Sequence, residues 1–175
     1  MYLMSVYFDE KTNNHIQEYI NDVAKRSGNT FMVDHAVPPH ITVSAFETKN
    51  IQQVIAQLEA NATSLQGGLI DWVTVGQFFP SVIYIAPVLG ETLHGLAVFV
   101  HDIIRIVDGV TFSKCYQPLS WFPHATIGKT LTQEEMLQAF ESLQHKFAPF
   151  SGEAVRIELA KKNPYSVLWS LSLKR

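Results

Sequence analysis

Cysteine is almost missing from this sequence: Cys115 stands alone, which excludes an internal disulfide framework and a four-cysteine zinc site and fits a reducing compartment. No apolar run approaches the roughly 18 residues that a membrane span needs. The apolar opening MYLMSVYF carries neither a basic leader nor a cleavage-site pattern and runs directly into Asp9-Glu10-Lys11, so it reads as a strand and not as a signal peptide. Positive charge is also scarce. Thirteen Lys and Arg stand against 16 Asp and Glu, for a net charge of -3, too little for a broad basic face that grips long nucleic acid through many phosphates. The expectation is a cytoplasmic monomer that binds neither membrane nor long duplex nucleic acid, with room for a small local basic pocket.

What the chain does have is apolar mass. With 47% hydrophobic residues among 175, it can bury a sizeable core without staples, and residues 1–175 are expected to form a single domain. Strand-like YLMSVYF is followed by helical spacing at Ile16, Tyr19, Ile20 and Val23, with Asn13-Asn14 as the expected cap and Gly28 as the stop. HITVSAF alternates polar His40, Thr42 and Ser44 with apolar Ile41, Val43 and Ala45, the period of a half-buried strand. A helix near 49–64, strands at 69–79 and 81–88, and a largely buried helix near 91–107 follow. A second alternating strand, HATIGKT, leads into a helix near 133–146 and two closing strands, AVRIELAKK and SVLWSLSL, spaced for a hairpin.

The order strand, helix, histidine strand, helix, strand occurs twice, offset by roughly 80 residues, the mark of an internal duplication. Alternation in the histidine strands argues against a parallel sheet covered on both faces. The expected fold is therefore α+β: bilobal, duplicated about a pseudo-twofold axis, with mainly antiparallel sheets, helices outside and a central cleft.

The repeat also carries the chemistry. PPHITVSAF begins at Pro38 and FPHATIGKT at Phe122, so Pro-His-x-Thr occurs twice, and packing offers no reason for the repetition. In a strand, residues two apart share a face, so His40 projects with Thr42 and His124 with Thr126. If the two halves face one another, two imidazoles that titrate near neutrality can remove a proton at one end of a reacting group and deliver one at the other. The threonine hydroxyls can donate to the oxygens of a phosphate between them.

His40-Ile41-Thr42-Val43 and His124-Ala125-Thr126-Ile127 resemble the paired His-x-Thr motifs of the 2H phosphoesterase superfamily, which includes bacterial 2′-5′ RNA ligase-like proteins and 2′,3′-cyclic nucleotide phosphodiesterases. The resemblance implies a phosphoesterase that uses no metal or other cofactor and acts on a 2′,3′-cyclic phosphate or a 2′-5′ phosphodiester of a small nucleotide or an RNA terminus. It implies His40 and His124 as the acid-base pair and Thr42 and Thr126 as phosphate ligands. The alternative is a nucleotide or RNA-end binding module that uses the same cleft without turnover. Relatives commonly carry an arginine shortly after the second motif. Lys129 stands there, keeping the charge but not the planar fork, and strict alternation points it away from His124 unless the strand bends.

Phe46 shares the parity of His40 and is read as a base-stacking contact or as a core residue. Tyr116, Trp121 and Phe122 precede the second motif and are read as core fillers or as the rim of the cleft. His15, His35, His94, His101 and His145 lack metal-ligand spacing. Lys161-Lys162 and Lys174-Arg175 are read as a solvated face in preference to a modest phosphate-facing strip.

Overall fold

The computed structural model describes residues 1–174; Arg175 lies outside the described residues. Eight strands and five helices follow one another as β1 (Tyr2–Phe8), α1 (Glu10–Ser27), α2 (Phe31–Asp34), β2 (Ile41–Glu47), α3 (Ile51–Ala60), β3 (Gly68–Phe78), β4 (Val82–Pro87), α4 (Glu91–Ile104), β5 (Thr111–Phe112), β6 (Ala125–Lys129), α5 (Gln133–Gln144), β7 (Phe150–Lys161) and β8 (Ser166–Ser172). None of these helices is long and apolar enough to cross a membrane. The class is α+β, with every strand pair antiparallel.

Seven strands run in the order β5-β2-β1-β7-β3-β4-β6, and β8 is added on β7. The long strand β7 joins the halves. One edge, from Ala154 to Lys161, pairs with β1; the other pairs first with β3, from Phe150 to Ala154, and then with β8, from Arg156 to Lys161. The sequence β2-β1-β7 on one side is thus answered by β6-β4-β3 on the other, which puts the pseudo-twofold relation between β7 and β3. The duplication is real, but its halves share one continuous sheet.

The helices cross between halves. α1 follows β1 yet packs against β6 and α5, while α4 follows β4 yet packs against β2 and α3. Ile16, Tyr19, Ile20 and Val23 form the buried stripe of α1, as their spacing requires. The cap differs from the sequence expectation. Asp9, not the Asn13-Asn14 pair, starts α1: its carboxylate accepts from the Thr12 amide at 3.0 Å, the Thr12 hydroxyl at 2.6 Å and the Glu153 amide at 2.8 Å. Asp9 therefore fastens the helix start to β7 as well as satisfying its free N–H groups. Gly28, at φ 77°, closes the helix by donating its amide to Ala24, a left-handed conformation suited to glycine.

Both histidine strands contain one residue more than a regular ladder allows. On β2, Ser44 lies opposite Met4 and Thr42 opposite Ser5, leaving Val43 as the extra residue. On β6, Gly128 lies opposite Ile83 and Thr126 opposite Tyr84, leaving Ile127 extra. These are β-bulges, and each reverses the face assignment of every residue beyond it.

Candidate active site

His40 and His124 are held in the same way. The Nδ1–H of His40 donates to the carbonyl of Pro38 at 2.8 Å, and that of His124 donates to the carbonyl of Phe122 at 2.9 Å. A carbonyl only accepts, so each bond requires the hydrogen on Nδ1. Nε2 is left to take up a proton when the ring is neutral and to give one when it is charged. The Pro-His dipeptides supply this geometry by setting the carbonyl two residues back. The cis proline bonds lie elsewhere, at Phe79–Pro80 and Asn163–Pro164.

Burial pushes both imidazoles below their ordinary range. At His40 the bond to Pro38 and the negative charge of Glu158 work the other way; at His124 the bond to Phe122 opposes burial, while the charge of His40 adds to the lowering. The charge of His40 thus bears on the titration of His124. A second link spans the halves through Tyr116. It lines a cavity with His124, and its phenol, raised by burial, is partly brought back by a hydrogen bond from Thr42.

Around His40 the open sheet face is polar. One rank runs Thr42–Ser5–Glu158–Ser170 across four strands, with Ser5 Oγ 3.3 Å from Thr42 Oγ1 and Ser170 donating to Glu158 at 3.4 Å. In the next rank His40 falls beside Tyr7, ring centroids 6.0 Å apart, and Tyr7 lies opposite Arg156. A cavity of about 310 Å³ opens between this face and the 35–38 loop, lined by Ser5, Tyr7, His40 and Tyr165 among others.

The face around His124 is aromatic instead. Phe78 meets the His124 ring edge-on at 4.7 Å, and Tyr84 lies 5.5 Å away between His124 and Phe122. Tyr84 stands opposite Thr126, in the place that Ser5 takes opposite Thr42. Its ring covers Gly76, where an added Cβ would come within 2.5 Å of the phenol.

The bulges alter three sequence expectations. Ser44 does not extend the polar face; it is buried with its hydroxyl unpaired. Phe46 is no stacking contact: it is 1% exposed, on the helix-covered face, with Tyr2 and Phe112 beside it at 5.8 and 6.1 Å. Lys129 moves the other way. Paired with Val82, it shares the face of Thr126, although its ammonium is held 5.8 Å above Phe31. Of the aromatics before the second motif, Trp121 is buried, Phe122 is 48% exposed, and both line the His124 cavity.

Sequence reading passed over Ser5, Tyr7, Tyr84, Arg156 and Glu158. Their signal was ordinary strand alternation: Arg156, Glu158 and Ala160 occupy one parity of β7, and Val155, Ile157 and Leu159 the other.

The sequence profile of the 2′-5′ RNA ligase superfamily matches residues 11–164. No curated protein sequence is a significant match. Among solved structures, the chain is similar to Escherichia coli LigT complexed with 3′-AMP, at 12% identity and a TM-score of 0.63 over 99% of this chain and 98% of that one. A crystal structure described as a phosphoesterase gives 12% identity and a TM-score of 0.60 over 99% and 98% of the two chains. Kluyveromyces marxianus Usb1 with uridine monophosphate gives 16% and 0.50 over 98% and 97%. At these identities the likeness is one of fold. The profile match, covering most of the chain, together with the duplicated fold shows that this protein belongs to the 2′-5′ RNA ligase superfamily.

Proposed function

We propose that this protein is a metal-independent phosphoesterase that opens a 2′,3′-cyclic phosphate, or cleaves a 2′-5′ phosphodiester, at a nucleotide or RNA end. Membership of the superfamily supports a phosphoesterase or RNA-end-processing role. The observation that carries the finer reading is the matched pair of Nδ1–carbonyl bonds at His40 and His124, which turns two Nε2 atoms over to proton transfer. That LigT is described with 3′-AMP and Usb1 with uridine monophosphate supports a small nucleotide as the group bound.

In this scheme one imidazole is neutral and the other charged. The neutral Nε2 takes a proton from water as its oxygen bonds to phosphorus. The charged Nε2–H gives its proton to the ribose oxygen as the phosphorus–oxygen bond breaks, so the pair ends the cycle with one proton, on the opposite ring. Thr42 and Thr126 donate to the non-bridging oxygens, where negative charge is stabilised most. Each histidine contributes about 10²–10⁴-fold.

The test is turnover of 2′,3′-cyclic nucleotides and 2′-5′-linked dinucleotides in EDTA. His40→Asn and His124→Asn should each lower kcat by about 10²–10⁴-fold. No turnover of any substrate by the wild type, or full turnover by either variant, would overturn the reading.

A further inference from the structure

On the floor of the His40 half, Arg156 carries a permanent positive charge that is already aimed. Register places it on the open face, opposite Tyr7 and one rank from Glu158. Its Nε lies 3.1 Å from Oε1 of Glu158, and its guanidinium carbon lies 4.7 Å from the centre of the Tyr7 ring. Glu158 is 9% exposed and is itself fixed by Ser170, while the Tyr7 hydroxyl is 3.4 Å from that of Tyr165. The head group is thus clamped at one edge and supported on one face.

The opposite edge is free. Among the described residues Arg156 has no other hydrogen bond or ion pair, and its side chain is 46% exposed. A guanidinium tethered through Nε still presents its two terminal amino groups as a planar fork, the geometry that grips two oxygens of one phosphate.

The charge balance of the cleft points the same way. The ammonium of Lys129 is drawn over Phe31 at the outer edge of β6. Both imidazoles are driven toward neutrality by burial. A guanidinium keeps its charge whatever the burial, so Arg156 offers a phosphate there a fixed cation, with Glu158 as its counter-ion. The backbones of His40 and Arg156 are two strand spacings apart, about 10 Å, with Tyr7 between them.

We infer that Arg156, held by Glu158 and stacked on Tyr7, is the residue that grips a substrate phosphate in this protein. The inference rests on the phosphate-cleft reading above. The phosphate it holds is either the one between the histidines or the next one along a short RNA strand, and the two are separated by probe length.

Calorimetric titration of adenosine 3′-phosphate, and of a diadenosine dinucleotide ending in the same 3′-phosphate, would be run on wild type, Arg156→Lys and Arg156→Ala, each first shown folded by its thermal unfolding transition. Loss of a charge-assisted bidentate contact should weaken binding about 10- to 100-fold in Arg156→Ala. Arg156→Lys should recover only part of this, because charge returns without the fork. The salt dependence of binding should flatten by about one phosphate contact in Arg156→Ala. Equal loss for both probes places Arg156 on the phosphate between the histidines; loss confined to the dinucleotide places it on the neighbouring one. Wild-type binding matched by both variants overturns the role of Arg156 alone. Absence of binding by the wild type overturns the phosphate cleft, and this inference with it.

Discussion

Val43 and Ile127 occupy the same place in the two repeats: each is the extra residue of a β-bulge, directly after the threonine of its motif. The bulge inverts the alternation: His-x-Thr stays on the open side, and beyond it Ser44 and Phe46 turn to the covered face of β2 while Lys129 turns to the open face of β6.

Phe46 is the measure of that crossing. Phe46→Ala should destabilise the fold by about 3–5 kcal/mol, as for other large aromatics removed from a packed core. KM of the folded enzyme should stay as it was. Urea denaturation beside steady-state kinetics tests both; a raised KM with little loss of stability would mean that Phe46 faces substrate after all.

Gly76 tests the aromatic half. A methyl group there would press on the Tyr84 phenol, which lies across from Thr126 and beside His124. Gly76→Ala should cost about 1–3 kcal/mol from overpacking and lower kcat/KM. Adding Tyr84→Leu should restore stability, because the collision is with the ring. A double variant no more stable than Gly76→Ala would refute this account.

The pH profile follows from the direction of the two shifts. With both imidazoles below the ordinary value of about 6.5, burial being the main cause, most free enzyme at pH 7 has two neutral rings and lacks the proton donor. kcat/KM should therefore rise as pH falls below 7, peak on the acid side of about 6.5, and fall again as the second ring takes up its proton. A maximum above pH 7.5 would contradict it. Stability moves oppositely: the unfolded chain binds protons more readily at these positions, so their contribution is full above about 6.5 and is lost as pH falls through the folded values.

Asp9 gives a second, lower pH window. Burial alone would raise its carboxyl, but the hydrogen bonds from Thr12 and Glu153 outweigh it and hold the group below its usual range. Asp9→Ala should cost about 0.5–2 kcal/mol near neutrality. The difference from wild type should shrink below about pH 4, where the free carboxyl is protonated. Chemical denaturation at pH 7 and pH 3 compares the two; a difference as large at pH 3 would show that the cap does not depend on charge.

Residues that speak through periodicity were legible. The stripe of α1, the buried positions of α4 from Leu93 to Ile104, the final hairpin and the doubled His-x-Thr could all be read because each repeats a spacing set by backbone geometry. The bulges were not, since one inserted Val or Ile leaves composition and propensity unchanged. Gly128 was the available clue. It follows Ile127 on a strand, and a Cβ there would come within 2.8 Å of Ile83 and 3.0 Å of Val23, the close approach that a strand glycine often marks. The short elements α2 and β5, at four and two residues, are too brief to show a period. The place of Arg156 depended on pairing with β1, which lies some 150 residues earlier in the chain.

The exchange of α1 and α4 between halves has a consequence for cooperativity. Each half lends the other the helix that seals its histidine strand, so neither can loosen without uncovering apolar surface belonging to its counterpart. Melting should take both histidine strands together, and hydrogen exchange at β2 and β6 should report one common opening event rather than two independent ones.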